Sequence, residues 1–418
     1  MYRKVGESEM KCSFVEACAS DADAGSIGAF FVMHHARIAG HEIVESRHTI
    51  DGCDIELISV HHSSDLESLA RMPKKAPIRI VGGHAMQANA RPAIPFADVV
   101  FIGEAEERIG IMLDALQSTG TVDSLRGMPG VVVTKDHVAG GDLPGAVHCK
   151  PLPNNPPYLN RPDTRSAAWY IEIARGCPFS CNYCELGHSS PYRFYRAEHI
   201  KGLIDKCDLT KTRKVNFFAP DEASHPDWDE LHEYVHRTGY LAGFSSMRVD
   251  QVLRKRPKIR SNSLVRVGVD GLSGRIRRIV NKKISDEMLV EYFDYMLKSG
   301  HVQFKMFQIF NYPFETADDW KVFETTMQDI KRIPIEKNVS LRIKWTPFIP
   351  QPVTPLCGSK VSFSSFLLMK QRIEKWHAMN RRPKSEPGIF VENDGIMSHR
   401  SYQRQVYLAQ AGENAQLF

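Results

Sequence analysis

Short apolar runs alternate with helix-period segments along most of this chain. That alternation restricts it to parallel sheets joined by helical crossovers. In the first part, "KCSFVEA", "DIELISVHH", "IRIVGGHA" and "ADVVFIG" read as strands. "GSIGAFFVMHHARIAGHEIVE" reads as a helix that stops near Gly40 and leads into another strand. Residues 1–150 are therefore expected to form a doubly wound parallel sheet. "PLPNNPPYLNRPD" interrupts both periodicities with Pro and Asn and marks a linker over 151–168. From Trp169 the alternation resumes in "WYIEIA", "KVNFFAP", "GFSSMRV", "LVRVGVD", "FKMFQIF" and "VSLRIKWTPF". Six such units over 169–356 predict a partial barrel whose working edge lies at the C-terminal ends of its strands. Residues 357–418 hold one expected helix, "SFSSFLLMKQRIEKWHAMN", and a polar, irregular end.

A chain of 418 residues with 42% apolar and 25% charged residues can bury a sizeable core. It has no apolar run long enough for a transmembrane helix. Its start, "MYRKVGESEMKCSF", lacks the apolar stretch of a signal peptide. A cytoplasmic setting without a membrane follows as the expectation. There the nine cysteines point to metal or redox chemistry rather than disulfides.

Three cysteines, Cys177, Cys181 and Cys184, fall in "RGCPFSCNYCELGH" with C-x3-C-x2-C spacing. They follow the expected strand "WYIEIA", in a loop opened by Gly176 and Pro178. Iron–sulfur clusters usually take four cysteines. Three thiolates would leave one iron of a cubane open to a small molecule. A Cys3His zinc site using His188 is the alternative that the residues leave open.

"CPFSCNYC" resembles the signature of the radical SAM superfamily, including the aromatic Tyr183 before the last cysteine. The resemblance implies a 4Fe–4S cluster on Cys177, Cys181 and Cys184, with S-adenosylmethionine chelated by the open iron. It implies reductive cleavage of the sulfonium to a 5'-deoxyadenosyl radical that abstracts hydrogen from an unreactive carbon. It also implies a reductant such as flavodoxin or ferredoxin. Further segments are similar to the branch with an N-terminal cobalamin-binding-like domain. These are "NFFAPDEASH", "SSMRVD", "VGVDGLSGRIRRIVNKKIS", "NYPFET" and "TPFIPQPVTPL", with "GGHA" and "ADVVFIGEAE" upstream. The fold implied is α/β: a Rossmann-like domain (1–150), a linker, a partial (βα)6 TIM-type barrel of the radical SAM fold, and a short C-terminal helical extension (357–418).

Residue by residue, the resemblance implies that Tyr183 packs near the adenine and that Glu222 meets the methionine amino group. Arg248 would pair with the carboxylate, since a guanidinium fork suits it bidentately, and Asp270 would meet the ribose hydroxyls. No residue is assigned to the catalytic step itself. Structural salt bridges are the competing roles for Glu222 and Arg248. Asn311, Phe314 and Val353 stand where the family keeps glycine, so those loops are expected to be reshaped. The cobalt-ligating D-x-H-x-x-G motif is absent from the sequence, although His34, His35, His41, His61, His62 and His84 are present. Cobalamin without a His ligand stays open. Methylthiotransferases acting on transfer RNA carry three further N-terminal cysteines; here Cys12, Cys18 and Cys53 lie upstream, but "GGHAMQ" has His at the third position, which disfavours that comparison. Cys149, Cys207 and Cys357 read as buried, inert thiols.

Basic residues crowd one stretch: Arg254, Lys255, Arg256, Lys258, Arg260, Arg266, Arg275, Arg277, Arg278, Lys282 and Lys283, with Asp270 the acid among them. Lys370, Arg372, Lys375, Arg381, Arg382 and Lys384 form a second set. Such runs are either solvated faces or a phosphate footprint. They favour a nucleic acid or nucleotide-linked substrate, and so an isomerase rearranging a nucleobase side chain, as in phage-type thymidine DNA hypermodification. A cobalamin-dependent methyltransferase or cyclase acting on a peptide or small metabolite is the alternative. A zinc or iron–sulfur protein that only binds nucleic acid is a third.

Overall fold

The computed structural model describes residues 10–17, 26–162, 164, 166–243, 246–256, 264–380 and 387–415. Cys18, Lys258, Arg260, Arg381, Arg382 and Lys384 lie outside them. The chain divides into two units, one of residues 1–155 with 404–418 and one of residues 156–403.

The first unit holds β1 (Lys11–Glu16), β2 (Glu42–Ser46), β3 (Ile55–Ser59), β4 (Ile78–Gly82), β5 (Val99–Phe101) and β6 (Val131–Val133). Their order is β2-β1-β3-β4-β5-β6, parallel except for β6. Strands buried on both sides read as continuous apolar runs, and β1 shows why. Cys12 and Phe14 pack with Ala29, Met33 and Leu113 on one face, while Val15 packs with Leu66, Leu69 and Met86 on the other. Helices on both faces make the sheet doubly wound, as expected. The last residues also belong to this unit. Glu413 accepts hydrogen bonds from Arg91 at 2.7 Å and Gly140 N–H at 3.1 Å, and the Asn89 side chain donates to Ala411 O at 2.8 Å.

In the second unit, β7 (Tyr158–Asn160) runs antiparallel to β8 (Ala168–Glu172). The short β9 (Ala174–Arg175) and β10 (Arg193–Phe194) pair antiparallel at the base of the cysteine loop. β8 then continues in parallel through β11 (Lys214–Phe218) to β12 (Leu241–Gly243). A second parallel sheet runs β13 (Ser246–Met247), β14 (Val265–Gly268), β15 (Gln303–Phe310), β16 (Asn338–Pro347) and β17 (Gly388–Ile396). β12 and β13 are separated only by residues 244–245, so the two sheets follow one another in the strand order of a partial barrel. Helices Asp286–Lys298, Ala317–Lys331 and Phe363–Met379 cover the outer face. There Phe293 meets Phe304, Phe323 meets Trp345 and Phe366 meets Phe310, with ring centroids 5.2, 5.3 and 5.8 Å apart.

The C-terminal extension is more than helix. β17 adds a strand to the barrel sheet, pairing with β16 from Asn338–Gly388 onward. Among the described residues no helix is long and apolar enough to cross a membrane. No two of the eight described cysteines are joined in a disulfide. Cys149 is buried as expected, whereas Cys207 is half-buried and Cys357 is exposed, because the turn carrying it lies at the surface.

Candidate active site

The cysteine loop leaves β9 through Gly176, whose φ is 67°. A Cβ there would lie 2.2 Å from Pro191 O, and one on Gly187 would lie 1.9 Å from Phe179 O. Only bare backbone lets the loop close on itself at these two points. A second set of bonds fastens it to the end of helix Gly274–Ile279. Asn182 N–H donates to Val280 O at 3.0 Å and its side chain to Ile279 O at 2.9 Å. Asn281, at φ 57°, donates from its amide to Ser180 O at 2.9 Å.

Cys181 is buried, and Cys177 and Cys184 are half-buried. The charge of a Cys181 thiolate disfavours ionisation of Cys177, and Cys184 feels both of the other sulfurs. Burial raises the Cys177 thiol and pushes Cys184 up to about 12, while the Phe179 and Leu186 amides favour the thiolates. In the bare protein these two are thiols, and it takes a bound cation to deprotonate them. Among the described residues no three His, Cys, Asp or Glu side chains converge on one point for a single ion. A cubane does not require convergence, since each cysteine would hold a different iron. His188 has its Nε2 3.1 Å from Cys181 O, so this nitrogen is engaged by the backbone. The donor set therefore fits a cluster better than tetrahedral zinc.

Arg248 stands at the end of β13. Its Nη1 is 3.4 Å from Cys181 Sγ, and its guanidinium lies 3.8 Å from the centre of the Phe179 ring. Nε and Nη2 donate to the two oxygens of Asp250 at 3.0 and 3.2 Å. The bidentate fork expected for a ligand carboxylate is thus already matched to Asp250. Asp221 joins the ends of β11 and β13: it accepts Arg248 N–H at 3.0 Å and the Ser224 hydroxyl. Glu222 lies beside it, completely buried, in the turn Glu222–Ser224.

Tyr183 and Asp270 meet. The tyrosine hydroxyl donates to Asp270 Oδ2 at 2.7 Å, and Lys282 forms an ion pair with the same oxygen. Burial and the adjacent carboxylate hold the Tyr183 hydroxyl well above its ordinary pKa, so it remains a donor. Both contacts fall on Oδ2 and leave Oδ1 to accept from elsewhere. Asp270 has φ 57°, and the Tyr312 hydroxyl donates to its carbonyl at 3.1 Å. The sequence marks Lys282 only as one of a basic run, and it gives no sign of Tyr312 or Asn281, whose partners are remote along the chain.

Two of the three residues standing in place of glycine adopt left-handed backbone, and Phe314 does not. Asn311 and Val353 keep φ 65° and 55°. Asn311 steadies its turn by donating to Tyr402 Oη at 3.1 Å and Ser362 O at 3.2 Å. Much of the basic run is neutralised internally. Arg277, 1% exposed, pairs with Asp286, and Lys282, 4% exposed, with Asp270. Arg275 pairs with Asp319, Arg256 with Glu291, and Lys255 donates to His225 O. In the second set Lys370 pairs with Glu374, and Arg372 lies over the Trp320 ring.

On the first unit, ligands are expected outside the carboxyl ends of the strands where the order reverses, here between β1 and β3. His61 and His62 follow β3 and His84 follows β4. Their ring centroids lie 4.4 Å (His61–His62) and 5.9 Å (His61–His84) apart.

The Radical SAM superfamily model matches residues 171–326 of this chain. An uncharacterized protein of Methanocaldococcus jannaschii is 23% identical over 402 residues, covering 93% of this chain and 82% of that one. Among solved structures, the radical S-adenosylmethionine methyltransferase TsrM from Kitasatospora setae, with cobalamin and a 4Fe–4S cluster bound, superposes with a TM-score of 0.61. It is 10% identical, with 95% of this chain and 85% of that chain covered. The cobalamin-dependent S-adenosylmethionine radical enzyme OxsB, with aqua-cobalamin and S-adenosylmethionine bound, gives a TM-score of 0.59 at 11% identity, with 96% and 66% covered. These two likenesses are of fold. Residues 171–326 match the radical SAM domain, and the fold of the chain is like that of radical SAM enzymes with an N-terminal cobalamin-binding-like domain. The chain is an enzyme whose family cofactors are a 4Fe–4S cluster and S-adenosylmethionine, and whose chemistry requires a reductant.

Proposed function

We propose that this is a cobalamin-dependent radical SAM enzyme acting on a small metabolite or peptide, by methyl transfer or ring closure. The observation that carries the reading is one of architecture. A doubly wound domain with imidazoles at its carboxyl edge precedes a radical SAM barrel, and the likeness to TsrM and OxsB covers nearly the whole chain. His61, His62 and His84 are the nitrogen donors at that edge.

Cys177, Cys181 and Cys184 would hold three irons, with the fourth left for the amino and carboxylate groups of S-adenosylmethionine. When bound, the cluster supplies the electron that cleaves the sulfonium. The chain itself positions and insulates. Phe179 and Arg248 close over Cys181. Tyr183 and Asp270 wall the adenosine side, with Asp270 Oδ1 facing a ribose hydroxyl. Glu222 is the acid for the methionine amino group. A reduced cluster, together with described cysteines that form no disulfide with one another, would suit a cytoplasmic setting.

Rearrangement of a nucleobase side chain, as in DNA modification, rested on the basic runs. The ion pairs of Arg256, Arg275, Arg277 and Lys282 weaken that support.

The test is anaerobic reconstitution with iron and sulfide, then dithionite and S-adenosylmethionine, with and without added cobalamin. Expected are 5'-deoxyadenosine or S-adenosylhomocysteine, lost in Cys181→Ala, and retention of cobalamin through gel filtration. Retention of neither product nor cobalamin would overturn the reading.

A further inference from the structure

Neighbouring strands of the barrel sheet present a row of cations on the face opposite the helices. On β15 and β16 the residues packed on helices are Phe304, Phe310 and Trp345. Alternate residues along a strand take opposite faces, so Lys305, Phe307, Arg342 and Lys344 line the inner face. Register places Arg266 beside Lys305, Lys305 beside Arg342, and Arg342 beside Glu392. The row above runs Gly268, Phe307, Lys344.

Inner layers of such barrels are ordinarily filled by branched apolar side chains, and like charges side by side on a sheet destabilise it. Here four cations share the face with two carboxylates. Asp394 is divided between Lys305 at 2.6 Å and Arg342 at 3.9 Å. Glu392 accepts from the Ser340 hydroxyl at 3.1 Å. Lys344 is half-buried, and a Cβ on Gly395 would lie 3.5 Å from its Nζ, so bare backbone flanks the ammonium. The positive excess therefore concentrates at Arg342 and Lys344.

The same row borders the candidate active site. A Cβ at Gly268 would lie 2.9 Å from Asp270 Oδ2. Lys344 is two strands from Gly268, roughly 10 Å at the usual strand spacing. Between them lies Phe307, with the Lys305 ammonium 5.4 Å from its ring centre.

We infer that Lys344 and Arg342 bind an oxyanion of the substrate, a carboxylate or a phosphate on a small molecule. Anchored there, the molecule lies across Phe307 with its other end at Asp270 and Tyr183. This rests on the reading of the barrel as the substrate chamber, and it names the substrate class. It also accounts for a strongly polar inner face over an apolar outer one.

The test uses reconstituted holoenzyme saturated with S-adenosylmethionine, at constant ionic strength. Pyrophosphate and citrate are titrated separately by calorimetry. Saturable binding of either supports the site, and which one binds assigns phosphate or carboxylate. Lys344→Met should weaken that binding about tenfold, the loss expected for one charge-assisted hydrogen bond, while Lys344→Arg stays near wild type. If Lys344→Met does not fold, Arg342→Gln serves with the same expectation. Binding of neither anion, or equal binding by wild type and both neutral variants, overturns the inference. The readout does not depend on SAM cleavage. Lost binding with 5'-deoxyadenosine or S-adenosylhomocysteine still formed sinks the oxyanion site alone, and intact binding with neither product sinks the proposed function alone.

Discussion

The guanidinium of Arg248 lies 3.4 Å from the sulfur of Cys181, with the Phe179 ring on its flank. A fixed cation beside a cluster sulfur favours the more negative, reduced state of the cluster, since hydrogen bonds to sulfur tune its potential. Arg248→Met should lower the midpoint potential of the reconstituted cluster by about 60 mV, a tenfold one-electron shift. Arg248→Lys should fall between. Electron paramagnetic resonance titration reads both, and an unchanged potential would leave Arg248 with only a structural role.

Gly187 offers a sharper test of the loop. A methyl group there would lie 1.9 Å from Phe179 O, so the segment after the third cysteine must move away from the turn between the first and second. Gly187→Ala is expected to cost roughly 3 kcal/mol locally. Iron bound after reconstitution should drop to a small fraction, while far-ultraviolet circular dichroism stays native.

Glu315 gives the protein a pH dependence. Burial pushes its carboxyl up to about 8 from an ordinary 4.5, against the pull of the Asn311 and Tyr312 amides. The folded state thus favours the protonated acid. Its contribution is fully present below about 4.5 and is lost as pH rises toward about 8. Thermal midpoints should decline across that window, and Glu315→Gln should flatten the decline. Equal slopes in both proteins would contradict the assignment.

Val353 holds φ 55° with a half-exposed side chain. A β-branched residue in the left-handed region is strained by about 1–2 kcal/mol, and little packing is lost on truncation here. Val353→Gly should therefore raise the thermal midpoint by a few degrees. A lower midpoint would show that the valine makes contacts worth more than its strain.

Both architectures were legible in the sequence because strands buried on two sides announce themselves as apolar runs. β17 was not. "GIFVENDGI" loses its apolar character after Val391, since Glu392 and Asp394 turn toward the cations of β15 and β16. The thiols, Tyr183 and Asp270 could be named from local patterns. That Tyr183 donates to Asp270, and that Lys282 shares the same oxygen, could not: the contact joins residues 87 apart. The basic run misled for the same reason, as Asp286, Glu291 and Asp319, which neutralise it, lie beyond the window in which it was read.

The bonds that shape the cysteine loop span nearly a hundred residues: 97 from Asn182 to Ile279 and 101 from Asn281 to Ser180. Closing so long a span is slow compared with forming a local turn. During synthesis the three thiols emerge well before the helix that fastens them, and until it docks they are ordinary cysteines exposed to oxidation. Iron delivered to these thiols would thus be tied to the maturation of the barrel, and its retention would mark the moment at which the middle strands have assembled.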